Sequence, residues 1–344
     1  MTTFAHVPRS QPSARCHPRQ ALRRRASRLL LTVACSAAVA ACGDLTAPES
    51  GNPPVGPPVH HADVAGVAAQ EATNIQFGDF ALHVPANVNH VRGILVALGG
   101  PNTQGFALGT PFGAPPAVEA AFQELGAMFR DLAAERGLAI LGSGRFGPTA
   151  YPNEPASDQL LLDAIAQAAT LTGRPDLLNA PLLLYGMSGG GPEATGFTQR
   201  NPERVAALFL KVPASAGPLT GQALHVPAYM VLAEFDAFVD NTVLSATFEA
   251  HRAGGAPWAM ALEPGVPHHS LSPAHRALTV DWMRAILPLG TAGPFRQNSP
   301  QVGWLGDPAT GQIAPARTFV GDRSAASWFP TRPLAVQWAA FIGW

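Results

Sequence analysis

The strongest constraint on how this chain can fold is the alternation of two apolar periods along residues 80–287. Short continuous apolar runs recur: "FALHVP" (80–85), "VRGILVALGG" (91–100), "LAILGSG" (138–144), "PLLLYG" (181–186), "VAALFLKV" (205–212), "PAYMVLAE" (227–234) and "WAMALEPG" (258–265). Each has the length of a strand, and most lack the polar alternation of a half-exposed one, as expected for strands buried on both faces. Between them lie stretches with helical spacing. In "AVEAAFQELGAMFRDLAAERG" (117–137), Val118, Phe122, Leu125, Met128, Phe129 and Leu132 fall on one stripe. "SDQLLLDAIAQAATLTG" (157–173) opens on a serine or aspartate cap, and "PEATGFTQRNPER" (192–204), "NTVLSATFEAHRAGG" (241–255) and "SPAHRALTVDWMRAIL" (272–287) complete the set. Strand and helix in strict alternation predict an α/β domain: a mostly parallel central sheet with helices on both faces and right-handed crossovers. Ligands in such sheets bind beyond the carboxyl ends of the strands, so the loops after Gly99, Tyr185, Glu234 and Pro264 matter most.

Charge divides the chain unevenly. Residues 1–41 carry seven arginines and no acid, which leaves 15 basic against 23 acidic residues in the rest, a net of about −8. There is no basic stripe, which excludes a nucleic-acid partner from the expectations. The head "ALRRRASRLLLTVACSAAVAACGD" sets an arginine cluster before an apolar run at 29–41. That run is shorter than the ~20 residues of a membrane-spanning helix and has the length of a signal-peptide core. Its end, Val39-Ala40-Ala41-Cys42, resembles the bacterial lipobox, which implies lipidation of Cys42 and a membrane partner through that lipid. A soluble secreted protein cut nearby is the alternative. Cys16, Cys35 and Cys42 are the only cysteines, so the body after Cys42 can form no disulfide. The organisation expected is a signal peptide of the lipoprotein type (1–41), a Pro/Gly-rich tether (42–75), the α/β domain (76–289) and a Trp-rich extension (290–344) packed on it. The pair His60-His61 lies in the tether and is read as incidental; no metal and no organic cofactor is expected.

The stretch "LLLYGMSGGGPEA" (182–194) wedges one hydroxyl among glycines, between an apolar strand and a helix. Gly186-Met187-Ser188-Gly189-Gly190 fits G-x-S-x-G, and the strand before and helix after are the context a nucleophile elbow needs. Glycines relieve crowding at such a turn, and a helix N-terminus offers free amides to a developing oxyanion.

On these residues and on the order of elements, residues 76–289 resemble the α/β-hydrolase superfamily. The resemblance implies a Ser, acid, His order along the chain. It places the acid after the strand two beyond the elbow, where Asp236 follows "PAYMVLAE" with Asp240 as the alternative. It places the base after the last strand, where "PGVPHHS" supplies His268 with His269 as the alternative. It implies an oxyanion hole from the Gly189 N–H and a donor in the loop after "ILVALGG". Pro101 has no N–H, so Asn102 is expected there, with Thr103 as the alternative. His251 and His275 are expected on the surface. Phe106 and Phe112, in the long loop before residue 117, are expected to shape an acyl pocket. In the extension, Trp304, Trp328, Trp338 and Trp344 are expected to bury against the domain, with "PLAVQWAAFIGW" as a short docking helix and one wall of the cleft as its possible further role.

Three functions fit this reading. The first is a serine hydrolase that cleaves a small-molecule ester at the cell envelope. The second uses the same triad as a peptidase or thioesterase. The third is a non-catalytic binding lipoprotein on a hydrolase fold.

Overall fold

The computed structural model describes residues 71–99, 102–144, 153–287 and 300–344. The expected leader, Cys42, the histidine pair and the tether up to residue 70 lie outside the described residues, as do Gly100 and Pro101.

Eight strands form one sheet: β1 (Thr73–Phe77), β2 (Phe80–Val84), β3 (Gly93–Leu98), β4 (Leu138–Ser143), β5 (Leu182–Met187), β6 (Val205–Lys211), β7 (Ala228–Ala233) and β8 (Trp258–Glu263). Their spatial order is β1-β2-β4-β3-β5-β6-β7-β8. β1 and β2 pair antiparallel, as do β2 and β4, and every pair from β4 to β8 is parallel. The mostly parallel sheet is what the alternation of periods predicted, and its strand order is that of the α/β-hydrolase fold, which the resemblance implied. The order reverses at β3, between β4 and β5, which opens a crevice at the carboxyl ends of these strands.

Period two along each strand sends side chains to two cores. Tyr185, Phe209 and Tyr229 point to one face, where α1 (Gln104–Leu108), α2 (Pro116–Arg136) and α6 (Pro273–Ile286) pack; Leu184, Leu208 and Met230 point to the other, under α3 (Pro155–Thr172), α4 (Gly190–Arg200) and α5 (Asn241–Ala253). Trp282 of α6 lies 6.0 Å from the Tyr229 ring and 6.1 Å from the Phe209 ring.

Several expectations change here. The domain opens earlier than residue 76: Thr73 already pairs with Val84 across a hairpin whose two-residue turn puts Gly78 at φ +54°. A glycine at the first position of such a turn meets that angle without the strain a Cβ would bring. Helix α3 starts at Pro155, so Ser157 and Asp158 lie inside it rather than at its cap; Asp158 instead accepts two bonds from Arg200, at 2.6 and 2.7 Å. The loop before residue 117 contains α1. Phe106 of α1 and Phe112 just after it, expected to shape an acyl pocket, are buried core residues, packed edge to face at 4.7 Å and against Phe122. His251 and His275 are buried rather than superficial. His251 accepts the Leu219 N–H at 2.8 Å and stacks on Trp258.

The C-terminal segment covers the β8 edge. A three-stranded antiparallel sheet, β10 (Ile313–Pro315), β9 (Trp304–Gly306) and β11 (Ser327–Phe329), leads into α7 (Arg332–Phe341). The Met260 N–H of β8 donates to Ser327 Oγ at 2.9 Å, and its carbonyl accepts from Trp338 Nε1 at 2.7 Å. Side chains thus occupy groups an exposed edge strand would offer to another chain. Trp328 and Trp338 are fully buried, Trp304 is half-buried, and Trp344, contrary to expectation, is exposed.

Candidate active site

β5 stops at Met187 and α4 begins at Gly190, so Ser188 stands on the connecting turn. Its φ is +51°, a left-handed angle that costs a residue with a Cβ of order 1–3 kcal/mol and persists only where the surroundings impose it. The surroundings do so through the backbone. The Ser188 N–H donates to the Lys211 carbonyl at 3.0 Å, and its own carbonyl accepts from Gly191 (3.0 Å) and Ala214 (2.8 Å). The turn also presses against the end of β3. A Cβ on Gly190 would lie 2.1 Å from the Leu98 carbonyl oxygen, and one on Gly99, at φ +81°, would lie 2.2 Å from the Met187 carbonyl oxygen. These two glycines are what allow the β3 and β5 ends to meet.

Asp236 lies just past β7 and His268 past β8. Their loops are stitched together: Glu234 N–H donates to the Glu263 carbonyl (3.0 Å), Phe235 N–H to the Val266 carbonyl (2.9 Å), and Gly265 N–H to the Glu234 carboxylate (2.7 Å). The structure brings Ser188, His268 and Asp236 into one chain of hydrogen bonds. His268 Nε2 lies 3.0 Å from Ser188 Oγ, and His268 Nδ1 lies 2.6 Å from Asp236 Oδ2. The Asp236 side chain is 0% exposed and that of His268 is 5% exposed.

The alternatives lie elsewhere. Asp240 caps α5 by accepting from Thr242 N–H (2.9 Å) and Val243 N–H (3.3 Å). His269 is exposed and packs edge to face on His268 at 4.9 Å. Thr103 cannot offer its amide to an oxyanion, because that N–H donates to the Ser143 carbonyl at 2.9 Å. Asn102 is half-buried, and its side-chain oxygen accepts the Gln104 N–H at 3.0 Å. Among the described residues neither the Asn102 N–H nor the Gly189 N–H has a backbone acceptor.

The electrostatics suit a neutral imidazole beside a carboxylate. Burial opposes ionisation of Asp236, but the N–H groups of Phe238 (2.8 Å) and Val239 (3.1 Å) on Oδ1, with the His268 ring on Oδ2, outweigh it and hold the carboxyl below its usual range. Burial lowers the pKa of His268, the Asp236 bond works against this, and the positive charge of Lys211 adds to the lowering, so the ring binds a proton less readily than a free histidine.

Two neighbours escaped the reading of the sequence. Phe238, 74% exposed, leans over both His268 (5.0 Å) and His269 (5.7 Å) and gives the rim an apolar edge. Lys211 is buried behind the histidine. Its signal was present: Ala207, Phe209 and Lys211 alternate onto one face of β6. Among the described residues no cluster of three or more His, Cys, Asp or Glu could hold a metal ion.

No family model matches the chain, and no curated protein matches it. Solved structures similar to it include a predicted CIB-like hydrolase from Thermoplasma acidophilum, at 17% identity and TM-score 0.42, covering 63% of this chain and 99% of that one. A cold-adapted esterase from an Arctic intertidal metagenomic library has 17% identity and TM-score 0.40, covering 59% and 86%. The esterase PE8 has 17% identity and TM-score 0.41, covering 60% and 97%. Likenesses at these values bear on neither the reaction nor the substrate.

Proposed function

We propose that this chain is a serine hydrolase that cleaves ester bonds through an acyl-enzyme. The observation that carries the reading is the unbroken line of hydrogen bonds from Ser188 Oγ through both ring nitrogens of His268 to Asp236. A serine hydroxyl is a weak nucleophile until a base removes its proton. With Asp236 accepting the Nδ1 proton, the Nε2 lone pair faces Ser188 and takes the hydroxyl proton as Oγ attacks the ester carbon. The negative charge that develops on the carbonyl oxygen is met by the Gly189 N–H at the start of α4, with the Asn102 N–H as second donor. His268 then gives its proton to the departing alcohol. Water enters, His268 accepts one of its protons as its oxygen attacks the acyl carbon, and the proton returns to Ser188 Oγ as the acid leaves. Phe238 lines the rim beside the base and favours an apolar group there.

A panel of nitrophenyl esters of graded acyl length, run beside anilide, thioester and lactone substrates, tests this. Esters are expected to turn over fastest. kcat/KM is expected to hold on going down from neutral pH and to fall only below the usual histidine range, because the base works unprotonated and burial keeps it so. Preference for the anilides would mark a peptidase, preference for the thioesters a thioesterase, and no turnover of any substrate would favour a binding role.

We propose further that the catalytic domain is held at the cell envelope by a lipid on Cys42, on the strength of the arginine cluster, the short apolar run and the small residues before that cysteine. Expressed in a bacterium with an alkyne fatty acid, the full chain is expected to take up the label and sediment with membranes. Cys42→Ser is expected to lose both properties. Equal partition of the two into the soluble fraction would contradict the anchor.

A further inference from the structure

Lys211 is the only lysine among 344 residues, and it is 2% exposed. Burying an ammonium is costly unless it is hydrogen-bonded and paired with opposite charge. Nζ donates to the main-chain carbonyl of His268 at 2.6 Å, while the Lys211 carbonyl accepts the Ser188 N–H at 3.0 Å. One residue thus touches the main chain of both the serine and the histidine.

The surrounding charges come from every element packed there. Asp236, on the loop after β7, and Glu263, at the end of β8, act favourably on the ammonium; Glu263 also binds His275 Nδ1 of α6 at 3.0 Å. His269 and His268 stand on the loop after β8, and Arg276 lies next to His275. Burial nevertheless dominates and pushes Lys211 down to about 8. A methionine would fill the same space without a buried charge, so packing does not account for the residue.

Resting on the serine-hydrolase reading, we propose that Lys211 is a positioning residue for the general base: its ammonium fixes the main chain of His268 and sets a positive charge close to that residue, which adds to burial in disfavouring a charged ring before attack. The fixed carbonyl keeps Nε2 within reach of Ser188 Oγ; displacement of a base by about 1 Å can cost a hundredfold in rate.

The test uses the single lysine as a probe. Protein grown with 15N-lysine gives one Nζ resonance, followed by NMR against pH before and after a fluorophosphonate adduct forms on Ser188. The adduct favours a protonated His268, so the resonance is expected to move and its titration to shift to lower pH. In parallel, Lys211→Met is expected to lower kcat about ten- to a hundredfold with KM within about twofold, and to move the acid limb of kcat/KM to higher pH. A purely structural lysine would lower thermal stability but leave that limb in place. An adduct with an unmoved Nζ resonance, or an acid limb unmoved in Lys211→Met, would overturn the proposal alone. A wild type that forms no adduct would overturn the hydrolase reading and this proposal with it. If Lys211→Met fails to fold, the resonance of the unmutated protein decides.

Discussion

Ser188→Ala is expected to lower kcat on the best nitrophenyl ester by about 10⁴- to 10⁶-fold, to a residue set by binding and oxyanion donors alone. The size follows from the role: without Oγ there is no bond to the acyl carbon, and neither His268 nor Asp236 can compensate. Stability is expected to stay within about 1 kcal/mol of wild type, because the turn is held by the main-chain bonds of residue 188 to Lys211, Gly191 and Ala214, which alanine keeps. Progress curves with chemical denaturation on the same sample make the check. Loss of activity together with loss of the fold would leave the serine a structural element, and activity within tenfold of wild type would remove it from the reaction.

Asp236→Asn is expected to cost about 10⁴-fold in kcat, since an amide at this place supports the wrong tautomer. Oδ1 would still accept from Phe238 and Val239, so the loop is kept. The amide NH₂ would then face His268 Nδ1, leaving the ring proton on Nε2, where it points at Ser188 Oγ and blocks general-base action. Asp240→Ala provides the contrast. It removes the two bonds that cap α5 and is expected to cost about 1 kcal/mol of stability with kcat within about twofold. Steady-state rates and urea midpoints for both variants separate the two aspartates. If Asp240→Ala were the inactive one, the acid would have been assigned to the wrong residue.

Much of this arrangement is legible in the sequence. The central strands are buried on both faces, so their sequences are unbroken apolar runs, and the helices between them carry their own stripes. The strand, G-x-S-x-G, helix context located the elbow because the chain needs glycine wherever β3 and β5 converge, at Gly99 and Gly190. What escaped falls into two kinds. Some signals were present and underweighted. His251 shares a helical stripe with Leu244 and Phe248, and His275 shares one with Leu278, Thr279 and Trp282, so their burial follows from period 3.6. The turn Gly78-Asp79 between alternating runs is a hairpin signal, and it hid β1 only because the tether before it has no period. Other features have no local signature. β9, β10 and β11 are three residues each among glycines and prolines, too short for any period. That the Thr103 N–H is already taken by the Ser143 carbonyl at the end of β4 depends on a contact 40 residues away in sequence. The link from Lys211 to His268 spans 57 residues and appears only when β6 and the loop after β8 are set side by side.

The central claim is that Ser188 is an activated nucleophile, and covalent labelling reads this most directly. A fluorophosphonate, which loses fluoride when a serine oxygen attacks its phosphorus, is mixed with wild type, Ser188→Ala and His268→Ala, and intact and peptide masses are recorded. The account predicts one adduct per wild-type chain, mapped to Ser188, absent from Ser188→Ala and formed far more slowly in His268→Ala. An unlabelled wild type, or an adduct on another residue that survives Ser188→Ala, would contradict it.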